Sequence, residues 1–89
     1  MHDINLSQVK DEIIRCHCYT ELVYDRINKK LRLKMSHCEI ETLVIQIIRN
    51  AQEDEIQKKG KNYYIADKTK GVRLTVNAST FRVITADRI

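Results

Sequence analysis

The chain has 89 residues, of which 43% are hydrophobic and 31% charged, with two glycines and no proline. This length suits one compact domain and excludes a multidomain enzyme, and the mixture of apolar and charged residues excludes a disordered chain. A domain of this size buries only roughly 60 to 65% of its unfolded surface, so its core is modest. We therefore expect a second copy to add stability and a homodimer to form.

The charge is unevenly distributed along the chain. The formal net charge is +4, but residues 1–57 carry −2 and residues 58–89 carry +6. A basic C-terminal third favours an anionic partner, either nucleic acid or an acidic protein surface. No apolar run reaches the roughly 18 residues that a membrane span requires, and Met1 is followed by His2 and Asp3 rather than by a basic and then apolar leader. We therefore expect a cytoplasmic protein with no membrane partner.

Two amphipathic helices are predicted in the first third of the chain. The first is short, begins at residue 5 or 7 and ends at Arg15, and the second runs from Thr20 to Leu31. The apolar residues at helical spacing are Leu6, Val9 and Ile13 in the first helix and Leu22, Val23, Ile27 and Leu31 in the second.

The strongest periodic signal lies between Ser36 and Gln52. Six apolar residues recur at the spacing of one helical face, namely Ile40, Leu43, Val44, Ile47, Ile48 and Ala51. Ser36 and Glu39 have the spacing of a capping box, which sets the start of a third helix. The second and third helices are expected to pair as an antiparallel hairpin. Ile45 falls off the apolar face, so we expect it to be exposed and free to contact a partner.

After Gln52 the apolar period changes from 3.6 to 2, which is typical of strands. The alternating apolar residues are Tyr63 and Ile65, then Val72, Leu74 and Val76, then Phe81 and Val83. The sequence therefore predicts one α+β domain, with two to three N-terminal helices (residues 1–52) packed on a C-terminal three-stranded antiparallel sheet (residues 58–89).

Strand parity predicts a polar sheet face that points away from the helices. The residues expected on it are Asn62, Tyr64, Arg73, Thr75, Asn77 and Arg82, together with Ile84. Bases could stack on the tyrosine while cations meet phosphates. The candidate nucleic-acid-binding residues are Lys58, Lys59, Lys61, Tyr64, Lys68, Lys70, Arg73 and Arg82. The alternatives are a merely solvated face or a protein-interaction or inhibitor module that uses an apolar patch around Ile45.

Other functions are disfavoured by the residues that they need. A helix-turn-helix reader requires basic residues on its recognition helix, and the exposed side of the third helix is close to neutral. No nucleotide-binding, hydrolase or zinc-protease motif occurs, so we expect no enzyme, no catalytic residue and no cofactor.

The cysteines and histidines do not have the spacing of a metal site. Cys16 and Cys18 are too close in sequence for their sulfurs to converge as in a zinc knuckle, although His17, His37 and Cys38 complete a set of possible ligands. We expect no bound metal. Three cysteines, an odd number, do not form a disulfide framework. We therefore expect reduced, buried thiols and histidines on the surface.

Several strings in the chain resemble a known family. They are Cys18-Tyr19-Thr20-Glu21-Leu22-Val23-Tyr24-Asp25-Arg26-Ile27-Asn28-Lys29-Lys30-Leu31, Gly60-Lys61-Asn62-Tyr63-Tyr64, Arg73-Leu74-Thr75-Val76-Asn77 and Thr80-Phe81-Arg82-Val83-Ile84-Thr85-Ala86-Asp87. The chain is similar over residues 18–89 to short stand-alone proteins of low-GC Gram-positive bacteria and their mobile elements, which form a domain family of unknown function. The family has no established activity, so the resemblance implies no catalytic or binding residue.

Overall fold

The computed structural model describes residues 6–89, with all side chains in that range except those of residues 6, 7 and 53. The helices are α1 (Leu6–Cys16), α2 (Glu21–Leu31) and α3 (His37–Asn50), and the strands are β1 (Ile56–Lys59), β2 (Asn62–Asp67), β3 (Val72–Asn77) and β4 (Val83–Arg88). A 3-10 turn at Glu53–Glu55 precedes β1. The α+β class is confirmed, whereas the prediction of three strands is wrong because the sheet has four in the order β1-β2-β3-β4.

The first two helices bury one face each, as their periodicity predicts. In α1, Ile13 is fully buried and Val9 packs against the core, while the predicted role of the Leu6 side chain and a start at residue 5 lie outside the described residues. In α2, Leu22 is 71% exposed, so its assignment to the apolar face is wrong. The reason is that α2 buries the face centred on Val23 and Ile27, and Leu22 lies on the far side of the helix.

The start of α3 is confirmed in detail. The backbone N–H of Glu39 donates to Ser36 Oγ at 3.1 Å, and the N–H of Ser36 donates to Glu39 Oε1 at 2.8 Å. The bond from the Ser36 N–H to the carboxylate, and after it the Ser36 hydroxyl, lower the pKa of Glu39. Ile45 is half-buried rather than exposed, so the prediction that it offers a free apolar patch is wrong.

The connection between α2 and α3 is held by one side chain. Asn28 donates through Nδ2 to the carbonyl of Met35 at 2.9 Å and accepts from the N–H of Met35 at 2.8 Å. Arg32 ends α2 in the left-handed conformation, with a φ of 57°, and its N–H donates back to the carbonyls of Asn28 and Lys29. The turn into α3 is thereby fixed at both of its ends.

The core lies between the helices and one face of the sheet. Its buried members are Ile13, Val23, Tyr24, Ile27, Leu31, Ile40, Val44, Ile47, Ile48, Ala51, Ile65, Val72, Leu74, Val76, Val83 and Ala86. These residues come from all three helices and from β2, β3 and β4. In residues 6–89, no helix is both long and apolar enough to cross a membrane.

Two features of the sheet differ from the predicted pattern. Val76 pairs with Val83 while Thr75 pairs with Thr85, so Ile84 is an extra residue in a β-bulge. Phe81 is not in a strand. It has a φ of 58°, donates its N–H to the carbonyl of Asn77 and packs its ring against the core from the loop before β4.

Candidate functional site

The face of the sheet opposite the helices, called the outer face below, is defined by the strand register. Leu74 is buried against the helices and pairs with Ile65, so their neighbours in each strand point the other way. The outer-face residues are Gln57 and Lys59 in β1, Asn62, Tyr64 and Ala66 in β2, Arg73, Thr75 and Asn77 in β3, and Thr85 and Asp87 in β4. The predicted parity of β2 and β3 is therefore confirmed.

Four of the eight predicted binding residues surround one open concavity on the outer face. It has a volume of about 490 Å³ and is lined by Asp54, Glu55, Gln57, Lys59, Tyr64, Ala66, Lys68, Arg73 and Ile89. The residues that were predicted are Lys59, Tyr64, Lys68 and Arg73. They come from β1, β2, β3 and the β2–β3 turn, so the sheet brings together side chains that are distant in sequence.

Tyr64 and Arg73 form the centre of this site. The Cζ atom of Arg73 lies 5.8 Å from the centroid of the Tyr64 ring, within the range of a cation–π contact. Asn62 donates through Nδ2 to the Tyr64 hydroxyl at 3.5 Å. Tyr64 is half-buried and Arg73 is exposed, so both a ring and a guanidinium remain accessible to a ligand.

The other four predicted binding residues lie elsewhere, each for a reason of register or turn position. Lys58 is paired with Tyr63, on the side of the sheet that faces the helices. Lys61 lies in the β1–β2 turn, where its carbonyl accepts from the N–H of Ala78. Lys70 lines a separate concavity of about 240 Å³ beside the buried Asp67.

Arg82 precedes β4 rather than lying in a strand. Its carbonyl accepts from the N–H of Asn77, and its backbone forms an isolated parallel bridge with Cys18. It is exposed, but it sits at the end of the sheet that carries the β3–β4 loop. Arg82 is therefore not part of a strand, although a strand was predicted there, and it does not line the concavity.

Acidic residues that sequence reasoning missed also line the concavity. They are Asp54 and Glu55, which come from the 3-10 turn, whereas Asp87 lies outside the lining and is paired with Arg73 on the outer face. Asp54 and Glu55 were missed because the β1 strand that follows them carries a single apolar residue, Ile56, and has no alternating pattern. The signal that could have revealed β1 is the Gly60-Lys61 turn, in which Gly60 has the positive φ of 62° that a two-residue hairpin needs at its first position.

The middle of the outer face is less accessible than predicted. Thr75 is only 6% exposed because Tyr64 and Thr85 lie directly opposite it on the two neighbouring strands. The hydroxyl oxygen of Thr85 is buried and has no hydrogen-bond partner within residues 6–89. The accessible part of the outer face is therefore the half that β1, β2 and the β2–β3 turn surround.

A second cluster of polar aromatic residues lies among the helices. The Tyr24 ring is stacked between His37, at 3.7 Å between centroids, and Tyr19, at 5.3 Å, and His17 meets Tyr19 edge-on. The Tyr24 hydroxyl donates to Glu41 Oε2 at 2.7 Å. Burial, this hydrogen bond and the Glu41 charge raise the pKa of Tyr24 to about 12.

Tyr19 and His17 extend the same cluster towards the sheet. Nδ1 of His17 lies 2.7 Å from the carbonyl of Ile14 and must donate to it, so in the neutral ring Nε2 accepts from the Tyr19 hydroxyl at 2.9 Å. Burial, and then the charge of Glu41, raise the pKa of Tyr19 above its ordinary value. The rings thus tie the α1–α2 connection to α2 and α3.

The cysteines are exposed rather than buried, so that part of the prediction is wrong. Cys16, Cys18 and Cys38 are all free thiols. In the part of the chain that the structure describes, no three His, Cys, Asp or Glu side chains are close enough together to hold a metal ion.

Comparison with known proteins supplies a family and no activity. The chain matches no curated protein and no solved structure. The family model described as "Protein of unknown function (DUF3781)" matches residues 12–87, which is nearly the whole chain and includes the last five residues of α1. The chain therefore belongs to this family of proteins of unknown function.

Proposed function

We propose that the protein is a small non-enzymatic binding module whose outer face binds single-stranded nucleic acid. The observation that carries the proposal is the gathering of Lys59, Tyr64, Lys68 and Arg73 around one concavity. An aromatic ring, a guanidinium and two flexible ammonium groups are the groups that bind such a ligand, because bases stack on π faces and phosphates attract cations.

The geometry favours a single strand over a duplex. The concavity of about 490 Å³ lies on an open sheet, and its volume is in the range of sites that enclose a small ligand. Unstacked bases can enter such a site, with one base on Tyr64 and Arg73 placed to contact the adjoining phosphate. A duplex keeps its bases stacked and would meet only the rim.

The acidic residues determine on which side of the concavity the phosphates lie. Asp54 and Glu55 repel phosphates from the β1 side of the concavity, whereas Lys68 and Arg73 attract them on the other side. The same mixture of charges favours the second candidate function, in which the site binds a protein surface of mixed charge. The two candidates differ in how strongly binding depends on salt.

The test is fluorescence anisotropy with labelled oligo(dT) and oligo(U) probes at two salt concentrations. Three cations at the site predict a slope of about −2 for the logarithm of the binding constant against that of salt, so affinity should fall roughly 20-fold between about 50 and 200 mM. Arg73→Glu should weaken binding at least about tenfold, and Tyr64→Ala should weaken it by a similar factor through lost stacking.

Arg49→Glu is the matched control, because Arg49 is an exposed arginine on α3 and lies outside the concavity. It should leave the affinity within about twofold of the original, since it changes the net charge equally without touching the site. Absence of binding at low salt, or equal losses from Arg49→Glu and Arg73→Glu, would contradict the proposal.

A further inference from the structure

One side of the concavity on the outer face is rich in hydrogen-bond acceptors. Asp54, Glu55 and Gln57 line it, and Gln57 lies directly opposite Tyr64 in the β1–β2 pair. The two carboxylates are acceptors only, and the Gln57 amide adds one acceptor oxygen and one donor group. We call these three side chains the acceptor wall. Asp54 and Gln57 are exposed and Glu55 is half-buried, so a ligand can reach the wall from solvent.

Cations lie on the other sides of the same concavity. Lys59 is at the opposite end of β1 from Glu55, and Lys68 lies in the turn between β2 and β3. Arg73 is directly opposite Ala66, whose short side chain leaves room between the acceptor wall and the guanidinium. A ligand that spans the concavity therefore meets acceptors at one end and positive charge at the other.

The carboxylates of the acceptor wall are available to a ligand. The N–H of Gln52 donates to Glu55 Oε1 at 2.8 Å, which holds this side chain in place, and no donor among residues 6–89 bonds to Oε2. Asp54 makes no hydrogen bond or ion pair with the described side chains. Both carboxylates thus have oxygen atoms that can accept from a bound molecule.

The bases of nucleic acids differ in how they meet such a wall. The Watson–Crick edge of guanine has two adjacent donors, N1–H and the 2-amino group, and one carboxylate can accept from both. Adenine and cytosine have an acceptor ring nitrogen beside their single amino group, and thymine and uracil have an acceptor carbonyl on each side of N3–H. A carboxylate repels each of those acceptors.

We propose that the base bound beside Tyr64 is guanine, recognised along its Watson–Crick edge by the acceptor wall. This inference rests on the proposed binding of a single strand by the outer face and adds which base the strand presents. The Gln57 amide supplies a donor for the remaining group of that edge, the guanine O6. Lys68 and Arg73 attract the phosphates, so the acidic side receives an uncharged base.

Fluorescence anisotropy with labelled eight-nucleotide probes tests the choice of base. A thymidine probe with two central guanines should bind at least about fivefold more tightly than the same probe with two central adenines, which matches it in purine stacking. Equal affinity for the guanine and adenine probes would overturn the inference and leave the proposed function standing. No binding of any probe at low salt would overturn both.

Base analogues show which edge of guanine is recognised. Inosine lacks the 2-amino group, so a probe with two central inosines should lose most of the preference. A 7-deazaguanine probe lacks N7 and keeps both donors, so it should bind as guanine does. Arginine recognises guanine through O6 and N7. A preference that inosine keeps and 7-deazaguanine loses would therefore assign recognition to Arg73 and overturn the role of the acceptor wall.

Asp54→Asn combined with Glu55→Gln tests the acceptor wall itself. Both changes keep the size of the side chain, and Glu55→Gln keeps an oxygen that can accept from the N–H of Gln52. The variant should bind oligo(dT) at least as tightly as the original chain, because two charges that repel phosphates are removed. Its preference for guanine over adenine should fall to within about twofold, because the acceptors that distinguish the two bases are lost.

Asp11→Asn combined with Glu12→Gln is the matched control. These residues are also an adjacent Asp–Glu pair, exposed on α1 and outside the concavity, so the net charge changes equally. The control should keep the preference for guanine. Circular dichroism checks that both variants are folded, and the analogue probes use the original chain alone. Loss of the preference in both double variants, or in neither, would overturn the inference.

Discussion

The two edges of the sheet differ in whether the rest of the chain hydrogen-bonds to their backbone. At the β4 edge, the N–H of Cys18 donates to the carbonyl of Phe81 at 3.0 Å, and the N–H of Val83 donates to the carbonyl of Cys18 at 2.9 Å. Further along, Arg26 on α2 donates through Nη1 to the carbonyl of Ile84 at 3.3 Å. At the β1 edge, no comparable bond is made within residues 6–89.

The difference shows two ways of managing an exposed strand edge. The α1–α2 connection and α2 itself cover β4, so that edge is satisfied within the chain. The other edge is kept short and carries lysines, which discourage indiscriminate pairing without satisfying the backbone groups. The chain therefore concentrates its unpaired backbone on the side where the outer-face concavity also lies.

The largest expected loss of stability comes from truncating buried side chains of β3 and β4, towards the sheet edge that the chain covers. Leu74 and Val83 are at most 1% exposed, so Leu74→Ala should cost about 3 kcal/mol and Val83→Ala about 2 kcal/mol through lost burial and cavities. On the open side Ile56 is half-buried, and Ile56→Ala should cost about 1 kcal/mol. Urea unfolding at neutral pH measures all three. An equal loss at Ile56 would show that β1 is held as firmly as β4.

Tyr24→Phe tests whether the aromatic cluster stabilises the α1–α2 connection and α2, which cover the β4 edge. It removes a hydrogen bond to a carboxylate and should cost about 1.5 kcal/mol at neutral pH. The pKa of Tyr24 is raised from 10.0 to about 12, so its contribution to stability is complete below pH 10 and is lost as the pH rises towards 12. The original chain should therefore lose stability more steeply over that interval than Tyr24→Phe does.

Glu41→Gln provides the second arm of the alkaline experiment. It removes the charge and leaves the burial, which is the largest cause of the raised pKa of Tyr24. We expect an intermediate loss of stability between pH 10 and 12, measured by urea unfolding in matched buffers. Identical pH dependence in all three proteins would remove Tyr24 from the alkaline transition.

A smaller effect is expected where α2 ends against β4. Arg88 donates through Nη2 to the carbonyl of Leu31. This carbonyl is at the C-terminus of α2, where the last carbonyls have no partner within the helix. Arg88→Ala should therefore cost about 1 kcal/mol in urea unfolding, whereas Lys59→Ala on β1 should change stability by less than about 0.5 kcal/mol. Equal costs would mean that the two edges contribute alike to folding.

The helices and the strands β2 and β3 were largely predictable from the sequence, and the β1 edge of the sheet was not. Capping residues and helical spacing located α3, and alternation located β2 and β3, because each buries several apolar residues at a regular period. β1 buries only part of Ile56, so its place in the sheet depends on the Gly60-Lys61 turn and on pairing with β2. Such pairing is a tertiary interaction and leaves little trace in local composition.

The same division applies to the candidate site. Tyr64 and Arg73 were predicted on one face because parity in β2 and β3 is strict, and Lys59 and Lys68 were selected by charge alone. The bulge at Ile84 shifts the parity of β4 beyond Val83, so Thr85 and Asp87 could not be placed on the outer face from alternation. The stacking of His17, Tyr19, Tyr24 and His37 was missed because it joins three elements whose relative orientation the sequence does not reveal.

The smallest effect on stability is expected from Arg73→Glu combined with Arg82→Glu. Both side chains are exposed, so the double variant should remain folded and lose no more than about 1 kcal/mol in thermal or urea unfolding. Part of that loss comes from Arg73→Glu, which places a carboxylate opposite Asp87. Unfolding of the double variant would mean that this face is buried and that the parity assignment fails.

The same variant tests the proposed function directly. Binding of labelled oligonucleotides should be abolished, because two positive charges become negative. Retention of nucleic-acid binding would remove the outer face from that function.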